Sequence, residues 1–333
     1  MPKCIYCLES KEVDKFNSDH VLPEMFGKFH PTSLVLQDTV CIMCNSFFGQ
    51  GIETALGRDS VEGLSRFTYG SKKSSEFKSF GKDARLHHFV SEGDFEGFEG
   101  YLSVNAESGE LQLRPIEGVQ ILRSDDLSDF FPIDEIPEYD AEIHQRIYPR
   151  GVGRYRINGD PHVIVGHMQK LGWPIEIEEE TFVMEPGPIK TWTTAVVDKD
   201  IFRAITKIAL NYLASSCGNE YVLDTQFDEI RDFVRYGKQS NSIRIERAEA
   251  MSLSQRSFTG NCIGHFLGVY IDKRGRVQAI VTFFSRFTYL IDFGNSSGKE
   301  RQIYTNFSFF DDSTNKVSHR NPRLVCNSPV DSS

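Results

Sequence analysis

The chain has 333 residues, of which 39% are hydrophobic and 25% charged, and it carries a formal net charge of −10. This composition is typical of a globular protein with a substantial core, and it excludes disordered and collagen-like polymers. No apolar run approaches the ~20 residues of a membrane helix, and the first residues hold no apolar stretch of signal-peptide length. We therefore expect a cytoplasmic protein without a membrane partner, and the odd count of seven cysteines also favours a reducing compartment.

The negative charge is unevenly distributed along the chain. Residues 90–140 are strongly acidic, residues 1–82 are close to neutral and residues 231–256 are locally basic. Recognition of nucleic acid depends on where the basic side chains lie as well as on the total charge. The distribution therefore argues against broad, nonspecific coating of DNA, and it leaves open a localised site for a polyanion.

Four of the seven cysteines form two pairs with the same spacing, Cys4-Ile-Tyr-Cys7 and Cys41-Ile-Met-Cys44. A gap of two residues lets both thiolates of a pair bind one tetrahedral ion, and two such pairs complete a four-sulfur zinc site. Four ordinary buried cysteines are the alternative, which the repeated spacing disfavours. The sequence therefore predicts a structural Zn²⁺ ion held by Cys4, Cys7, Cys41 and Cys44. Four thiolates would leave this ion no open position for catalysis.

The segment between and after the cysteine pairs predicts a β–β–α unit. A short strand carries Asp19 and His20, and residues 35–41 predict a second strand. After Cys44, apolar side chains recur every four residues and predict a helix with one buried face. These apolar residues are Phe48, Ile52 and Leu56. Two glycines, at positions 49 and 51, weaken the helix prediction.

The middle of the chain has a different character. Residues 63–83 are rich in Gly, Ser and Lys, which is typical of a linker. Residues 84–194 predict mostly strands and turns, including a hairpin whose strands lie at 101–104 and 111–113.

The last third of the chain predicts two helices followed by strands. Residues 198–214 have helical apolar spacing, with Asp198 or Asp200 placed to cap the first turn. A second helix is predicted at about 225–236. Residues 262–271 and 277–293 predict two strands joined by a turn.

The order of motifs in the N-terminal segment resembles the HNH endonuclease family, in the subgroup whose catalytic motif lies between CxxC pairs. The matching stretch reads CIYC…FNSDHVLPEMFG…DTVCIMCNSFFGQGIE and covers residues 4–54. The Asp-His pair, the following proline, the glycine-containing loop and the CxxCN ending all match. One position departs from the family pattern, because residues 34–38 lack the asparagine that gives the family name its middle letter.

The resemblance implies a metal-dependent endonuclease or nickase that hydrolyses phosphodiester bonds in DNA. His20 would serve as general base, since an unperturbed imidazole accepts a proton near neutral pH. Asp19 and Asn45 would hold the catalytic divalent ion, and their hard oxygen atoms favour Mg²⁺ or Mn²⁺. Neighbouring strand residues point to opposite faces, however, so cooperation between Asp19 and His20 would require a local distortion or a wide ion site.

The expected fold is α+β. An N-terminal zinc-stabilised ββα-metal (HNH) unit would span residues 1–62, a linker 63–83, and a larger β-rich α+β region 84–333, with a candidate division near residue 195. The larger region would regulate the nuclease or recognise its target, and an activating ligand or a homodimer is a candidate partner. By resemblance, such proteins act in restriction or phage defence.

The alternative interpretation is a zinc-stabilised nucleic-acid-binding or scaffold protein with a relic HNH unit. A relic is expected to lose its base or its metal ligand first. Asp19, His20 and Asn45 are all present, which favours the enzyme.

Overall fold

The computed structural model describes most of the chain. The described residues are 1–29, 34–69, 72–73, 77, 85–93, 95–105, 108, 110–123, 128–147, 152–175, 190–239, 244–248, 262–295, 306–312 and 314–320. Among them, no helix is long and apolar enough to cross a bilayer. Helices and sheets occur together, and the small N-terminal unit precedes a larger β-rich region, as the sequence predicted.

The secondary-structure elements follow one another in three groups. The N-terminal group contains β1 (Asp19–His20), β2 (Val35–Leu36), α1 (Ile42–Gln50), α2 (Ile52–Arg58) and α3 (Val61–Thr68). The middle group contains β3 (Leu86–Val90), β4 (Glu99–Val104), β5 (Leu111–Pro115), β6 (Gly118–Arg123), β7 (Ser128–Pro132), α4 (Ala141–Ile147), β8 (Val152–Asn158), α5 (Pro161–Lys170) and β9 (Thr191–Ala195). The C-terminal group contains α6 (Lys199–Cys217), α7 (Asn219–Val222), α8 (Asp228–Tyr236), β10 (Arg244–Ala248), β11 (Gly264–Ile271), β12 (Arg276–Phe283), β13 (Phe287–Asn295), β14 (Asn306–Asp311) and β15 (Lys316–Arg320).

Contacts divide the chain into two compact units. Unit 1 combines residues Met1–Lys72 with Val197–Ser333, and unit 2 contains Lys73–Val196. The C-terminal group therefore packs with the N-terminal group, although the middle group separates them along the chain. The domain boundaries predicted from the sequence, at residues 62 and 83, stay a prediction.

Unit 1 is built around helix α6. An antiparallel sheet of order β10-β13-β12-β11-β14-β15 packs on this helix through β11 and β12, and α2 packs on it from the N-terminal group. Asp198 caps the helix by accepting hydrogen bonds from the backbone N–H groups of Asp200 and Ile201, as the sequence predicted. All residues from Ala204 to Ala214 are buried, and a helix buried on every side lies in a protein core.

Several N-terminal elements differ from their predictions. The single predicted helix after Cys44 is two helices, because Gly51 adopts φ −104° and ψ −100° and ends α1 before α2 begins. The strand predicted at 35–41 is extended only over Val35 and Leu36. The first residues of the predicted linker are helical, since Ser60 caps α3 by accepting a hydrogen bond from the N–H of Gly63. Much of the remaining linker lies outside the described residues.

The strand predicted at 277–293 is a hairpin formed by β12 and β13. Phe284 and Ser285 have φ values of 51° and 55°, and the N–H of Arg286 donates to the Phe283 carbonyl. Two consecutive positive φ values are typical of the tight turn that joins twisted antiparallel strands. The sequence did not predict this turn because neither central residue is the Asn, Asp or Gly that usually adopts positive φ in such turns.

Unit 2 contains two antiparallel sheets, of order β5-β4-β3-β9 and β7-β6-β8. β4 and β5 pair directly, which confirms the predicted hairpin. Helix α5 packs Ile164 against Val119 of β6 in a separate core. The prediction of mostly strands for residues 84–194 was wrong for α4 and α5, although Asp160 and Pro161 form a favourable start for α5.

Candidate active site and metal centre

The four cysteines of the two CxxC pairs converge in unit 1. Their Sγ atoms all lie within 4.8 Å of one another, and the Sγ atoms of Cys7 and Cys41 are 3.8 Å apart. A tetrahedral zinc ion with sulfur ligands about 2.3 Å away holds these sulfurs about 3.8 Å apart. All four thiols are free of disulfides. The cluster therefore fits the predicted structural zinc site.

The thiols of this cluster perturb one another's pKa values. The Cys44 thiol forms a hydrogen bond with Cys4 and lowers the pKa of Cys4 to about 4. The same bond raises the pKa of Cys44 above its ordinary value, and burial raises the pKa of Cys7 to about 11. A thiolate is thus already favoured at Cys4, whereas Cys7 and Cys44 favour their protonated forms unless a cation offsets the repulsion between thiolates. Zinc binding is therefore expected to release protons.

Strand β1 points its two side chains in opposite directions, as alternation along a strand predicts. Asp19 is 4% exposed and faces the core of unit 1. His20 keeps 27% of its side-chain surface exposed, and its Nε2 atom lies 3.2 Å from Oε1 of Glu24. Glu24 begins the short turn of helix that follows Pro23. The loop after the Asp-His pair thus places the Glu24 carboxylate next to the His20 ring.

Asn45 lies in the first turns of α1 and holds this helix against the start of β1. Its side-chain amide nitrogen donates to Oδ1 of Asn17 at 3.1 Å. The same nitrogen lies 3.5 Å from the carbonyl oxygen of Ser18. The three predicted site residues therefore lie on adjacent elements, β1 and α1. Their hydrogen bonds run in different directions, because Asn45 contacts the residues that precede β1 and Asp19 contacts α6.

A buried polar network surrounds Asp19. Lys207 Nζ donates to Oδ1 of Asp19 at 2.8 Å and to Oε1 of Glu53 at 2.7 Å. The Asn211 amide donates to Oδ2 of Asp19 at 2.9 Å and accepts from the Tyr6 hydroxyl at 2.8 Å. We call these five residues the Lys207 network. It joins the N-terminal segment to helix α6.

The electrostatics of the network keep Lys207 charged. Burial alone would lower its pKa, but the carboxylates of Asp19 and Glu53 outweigh that effect and raise the pKa of Lys207 above its ordinary value. Burial and the charge of Asp19 raise the pKa of Tyr6 well above its ordinary value, so its hydroxyl remains a neutral donor. One ammonium thus faces two carboxylates in a site closed to water.

The arrangement around Asp19 bears on the predicted catalytic ion. Both carboxylate oxygens of Asp19 already accept hydrogen bonds, one from Lys207 and one from Asn211. In this arrangement the residues do not fit a divalent ion shared by Asp19 and Asn45. Each oxygen keeps a second lone pair, but an ion bound there would lie in a buried position beside the Lys207 ammonium, whose positive charge repels it.

The sequence did not identify Lys207, Asn211 or Glu53 as site residues. Glu53 is 9% exposed, whereas Lys207 and Asn211 are completely buried. A signal was present in α6, where Lys207 and Asn211 lie four residues apart on one face of the helix, within its mostly apolar central part. Polar side chains in the middle of a buried helix need partners, which the N-terminal segment supplies.

Comparison with known proteins identifies the N-terminal segment. A family model described as HNH endonuclease (HNH_5) matches residues 4–60, about a sixth of the chain. No curated protein and no solved structure gives a significant match to the chain. The family match confirms the resemblance that the motifs indicated for this segment, and it supports a nuclease-type hydrolase that acts on nucleic acid.

Proposed function

We propose that the protein is a metal-dependent HNH endonuclease or nickase that hydrolyses phosphodiester bonds in DNA, with His20 as general base. The observation that carries this proposal is the position of His20 on the outward face of β1, within the segment that matches the family model. A histidine in that position can reach both water and a phosphate group.

In the proposed reaction, His20 accepts a proton from a water molecule whose oxygen attacks the phosphorus atom. A new P–O bond forms, the bond to the 3′ oxygen breaks, and the leaving oxyanion takes a proton from solvent. A proton on Nε2 of His20 would be donated to Glu24, which leaves Nδ1 as the acceptor. Glu24 thus orients the ring, and Asn45 positions the start of β1.

Mg²⁺ or Mn²⁺ remains part of the proposal through the family resemblance, with Asn45 and Asp19 as the predicted ligands. Such an ion would supply positive charge to a nonbridging phosphate oxygen. Because Asp19 contacts Lys207 and Asn211, this ligand set is proposed only for a conformation in which those contacts have opened.

The biological context is proposed at a coarser level. A cytoplasmic nuclease that endangers its own DNA needs control, so the remainder of the chain is proposed to recognise a target or to respond to an activating ligand. A homodimer would allow a site that cuts one strand to break both. Restriction or phage defence is the proposed setting, on the resemblance alone.

Cleavage of supercoiled plasmid by purified protein tests the proposal. Wild type is expected to nick or linearise the plasmid with Mg²⁺ or Mn²⁺, and His20→Ala is expected to lower the rate at least ~100-fold. His162→Ala is the matched control, since His162 is an exposed histidine of unit 2. A single-stranded RNA of the same sequence tests the choice of DNA. Zinc content is measured after chelation, so that loss of the structural ion is not mistaken for loss of the catalytic one.

Equal cleavage by wild type and His20→Ala would refute the role of His20. The second candidate function, a zinc-stabilised nucleic-acid-binding or scaffold protein with a relic HNH unit, draws support from the contacts that engage Asp19. It predicts DNA binding without cleavage under every ion condition, and equal DNA affinity for wild type and His20→Ala.

A further inference from the structure

The Lys207 ammonium lies where two carboxylates meet inside unit 1. Oδ1 of Asp19 and Oε1 of Glu53 are 2.8 and 2.7 Å from Nζ, and Lys207 has no solvent-exposed surface. Nζ also lies 6.0 Å from the centre of the Phe48 ring, whose face is attractive to a cation. A cation site in a protein typically has carboxylate oxygens, an aromatic face and little access to water. Here the cation in such a site is the ammonium group of Lys207.

The second carboxylate oxygen of Asp19 also accepts a hydrogen bond. Asn211 donates its amide to Oδ2 of Asp19 and accepts from Tyr6 through its other side-chain atom. A buried carboxylate is stable only when its charge is offset and its oxygens accept hydrogen bonds. Lys207 and Asn211 meet both requirements for Asp19 without a metal ion.

We propose that Asp19 and Glu53 form a buried cation site whose occupant is the Lys207 ammonium, so that a divalent ion can bind Asp19 only by displacing Lys207. The site has hard oxygen ligands, so its competing ligands are ions such as Mn²⁺ and Mg²⁺. This inference concerns ion binding and stands whether or not His20 cleaves DNA.

Replacement of Lys207 by an uncharged side chain of similar length provides the test. In Lys207→Met the two carboxylates lose their cation while the surrounding apolar contacts are largely retained. We expect zinc-loaded Lys207→Met to bind Mn²⁺ at least ~10-fold more tightly than zinc-loaded wild type, measured by the loss of the free-ion electron paramagnetic resonance signal. Mg²⁺ should compete with the bound Mn²⁺.

Three further variants make the test specific. Lys207→Met/Asp19→Asn should lose the Mn²⁺ binding that Lys207→Met gains, because the carboxylate is gone. Lys207→Arg should behave like wild type, since it retains a cation. Lys199→Met is the matched control, because Lys199 is an exposed lysine at the start of the same helix. Zinc content establishes that each variant is folded around the cysteine cluster.

The proposal fails if Lys207→Met binds Mn²⁺ no better than wild type. If Lys207→Met does not fold, the comparison of wild type with Asp19→Asn decides the question. Equal Mn²⁺ binding by these two proteins supports the proposal, because Asp19 is then closed to the ion. A wild-type Mn²⁺ site that disappears in Asp19→Asn overturns it if Mn²⁺ leaves amide exchange in α6 unchanged, because the ion would then reach Asp19 without displacing Lys207. Faster exchange in α6 on Mn²⁺ binding would be the displacement that the proposal requires.

Discussion

The Lys207 network makes a quantitative prediction about the stability of unit 1. Removing one partner of a buried ion pair typically costs about 3–5 kcal/mol, because the remaining charge is buried without compensation. Lys207→Met leaves the carboxylates of Asp19 and Glu53 without their cation. We therefore expect this single variant to lose about 4 kcal/mol of the free energy of unfolding.

Asp19→Asn is expected to lose about 3 kcal/mol for a related reason. Its amide nitrogen would face either Lys207 or Asn211, and both of those groups donate in the wild type. If the Asn211 amide turned to accept this hydrogen bond, its nitrogen could donate to the Tyr6 hydroxyl, which would then donate to the Lys207 carbonyl oxygen. The hydrogen bonds can therefore be restored, and the expected loss comes from the missing carboxylate charge beside Lys207.

The triple variant Lys207→Met/Asp19→Asn/Glu53→Gln removes all three charges at once. We expect it to lose only about 1–2 kcal/mol, much less than the sum of the single losses, because no unpaired charge remains. The Lys207 contribution is fully present below the ordinary lysine pKa and is lost only as the pH rises through the raised pKa of Lys207. The loss of unfolding free energy in each variant should thus be independent of pH across the neutral range.

The assay must report on unit 1. Both tryptophans, Trp173 and Trp192, belong to unit 2, so tryptophan emission follows the other unit. Urea unfolding of unit 1 is instead measured by release of zinc to a chromophoric chelator and by amide hydrogen exchange in α6. The reasoning would be refuted if the loss of unfolding free energy in the triple variant equalled the sum of the single losses within about 0.5 kcal/mol, because additivity would mean that these side chains do not interact.

Two further predictions concern pH and zinc. Burial and the charge of His87 lower the pKa of His88 to about 4. The resulting stability of unit 2 should be fully present above the ordinary histidine pKa and should decrease as the pH falls towards 4. At about pH 5, unit 2 should have lost about 2 kcal/mol of its free energy of unfolding. Urea unfolding followed by tryptophan emission checks this loss. His88→Gln should abolish it, whereas His87→Gln should reduce it only in part, since burial is the larger cause of the lowered pKa of His88. Removal of zinc should increase amide exchange in α6, because Tyr6 lies in the Cys4 pair and donates to Asn211. Unchanged exchange in α6 after zinc removal would show that the cysteine cluster does not support this network.

Prediction from the sequence succeeded where the determining interactions are local. The cap and the apolar spacing of α6 involve residues within a few positions of one another, as do the two cysteines of each pair. The Asp-His strand was predicted because its neighbours in sequence form a recognisable motif. In each of these cases a short window contains the physical cause.

Prediction failed where the partners are far apart along the chain. Lys207 contacts Asp19 and Glu53 across separations of 188 and 154 residues, and a single sequence gives no indication of such pairings. The turn at Phe284 was missed for another reason, since a bulky residue rarely adopts positive φ, whereas Gly51 was already a weak point of the predicted helix. The role of Asp19 as a metal ligand stays a prediction, and its contact with Lys207 was not expected from the sequence.

The position of α6 changes how the HNH segment should be understood. Asp19 and Tyr6 of that segment form hydrogen bonds with residues of α6. In the loop after β1, the carbonyl oxygen of Phe26 lies 3.1 Å from Nε2 of His265 in β11. Residues before, within and after the Asp-His strand are therefore held by elements from the C-terminal group. Because Asp19 and His20 are adjacent on a two-residue strand, a shift of α6 would move His20 through Asp19. The C-terminal group is thus part of the structure that positions the proposed base.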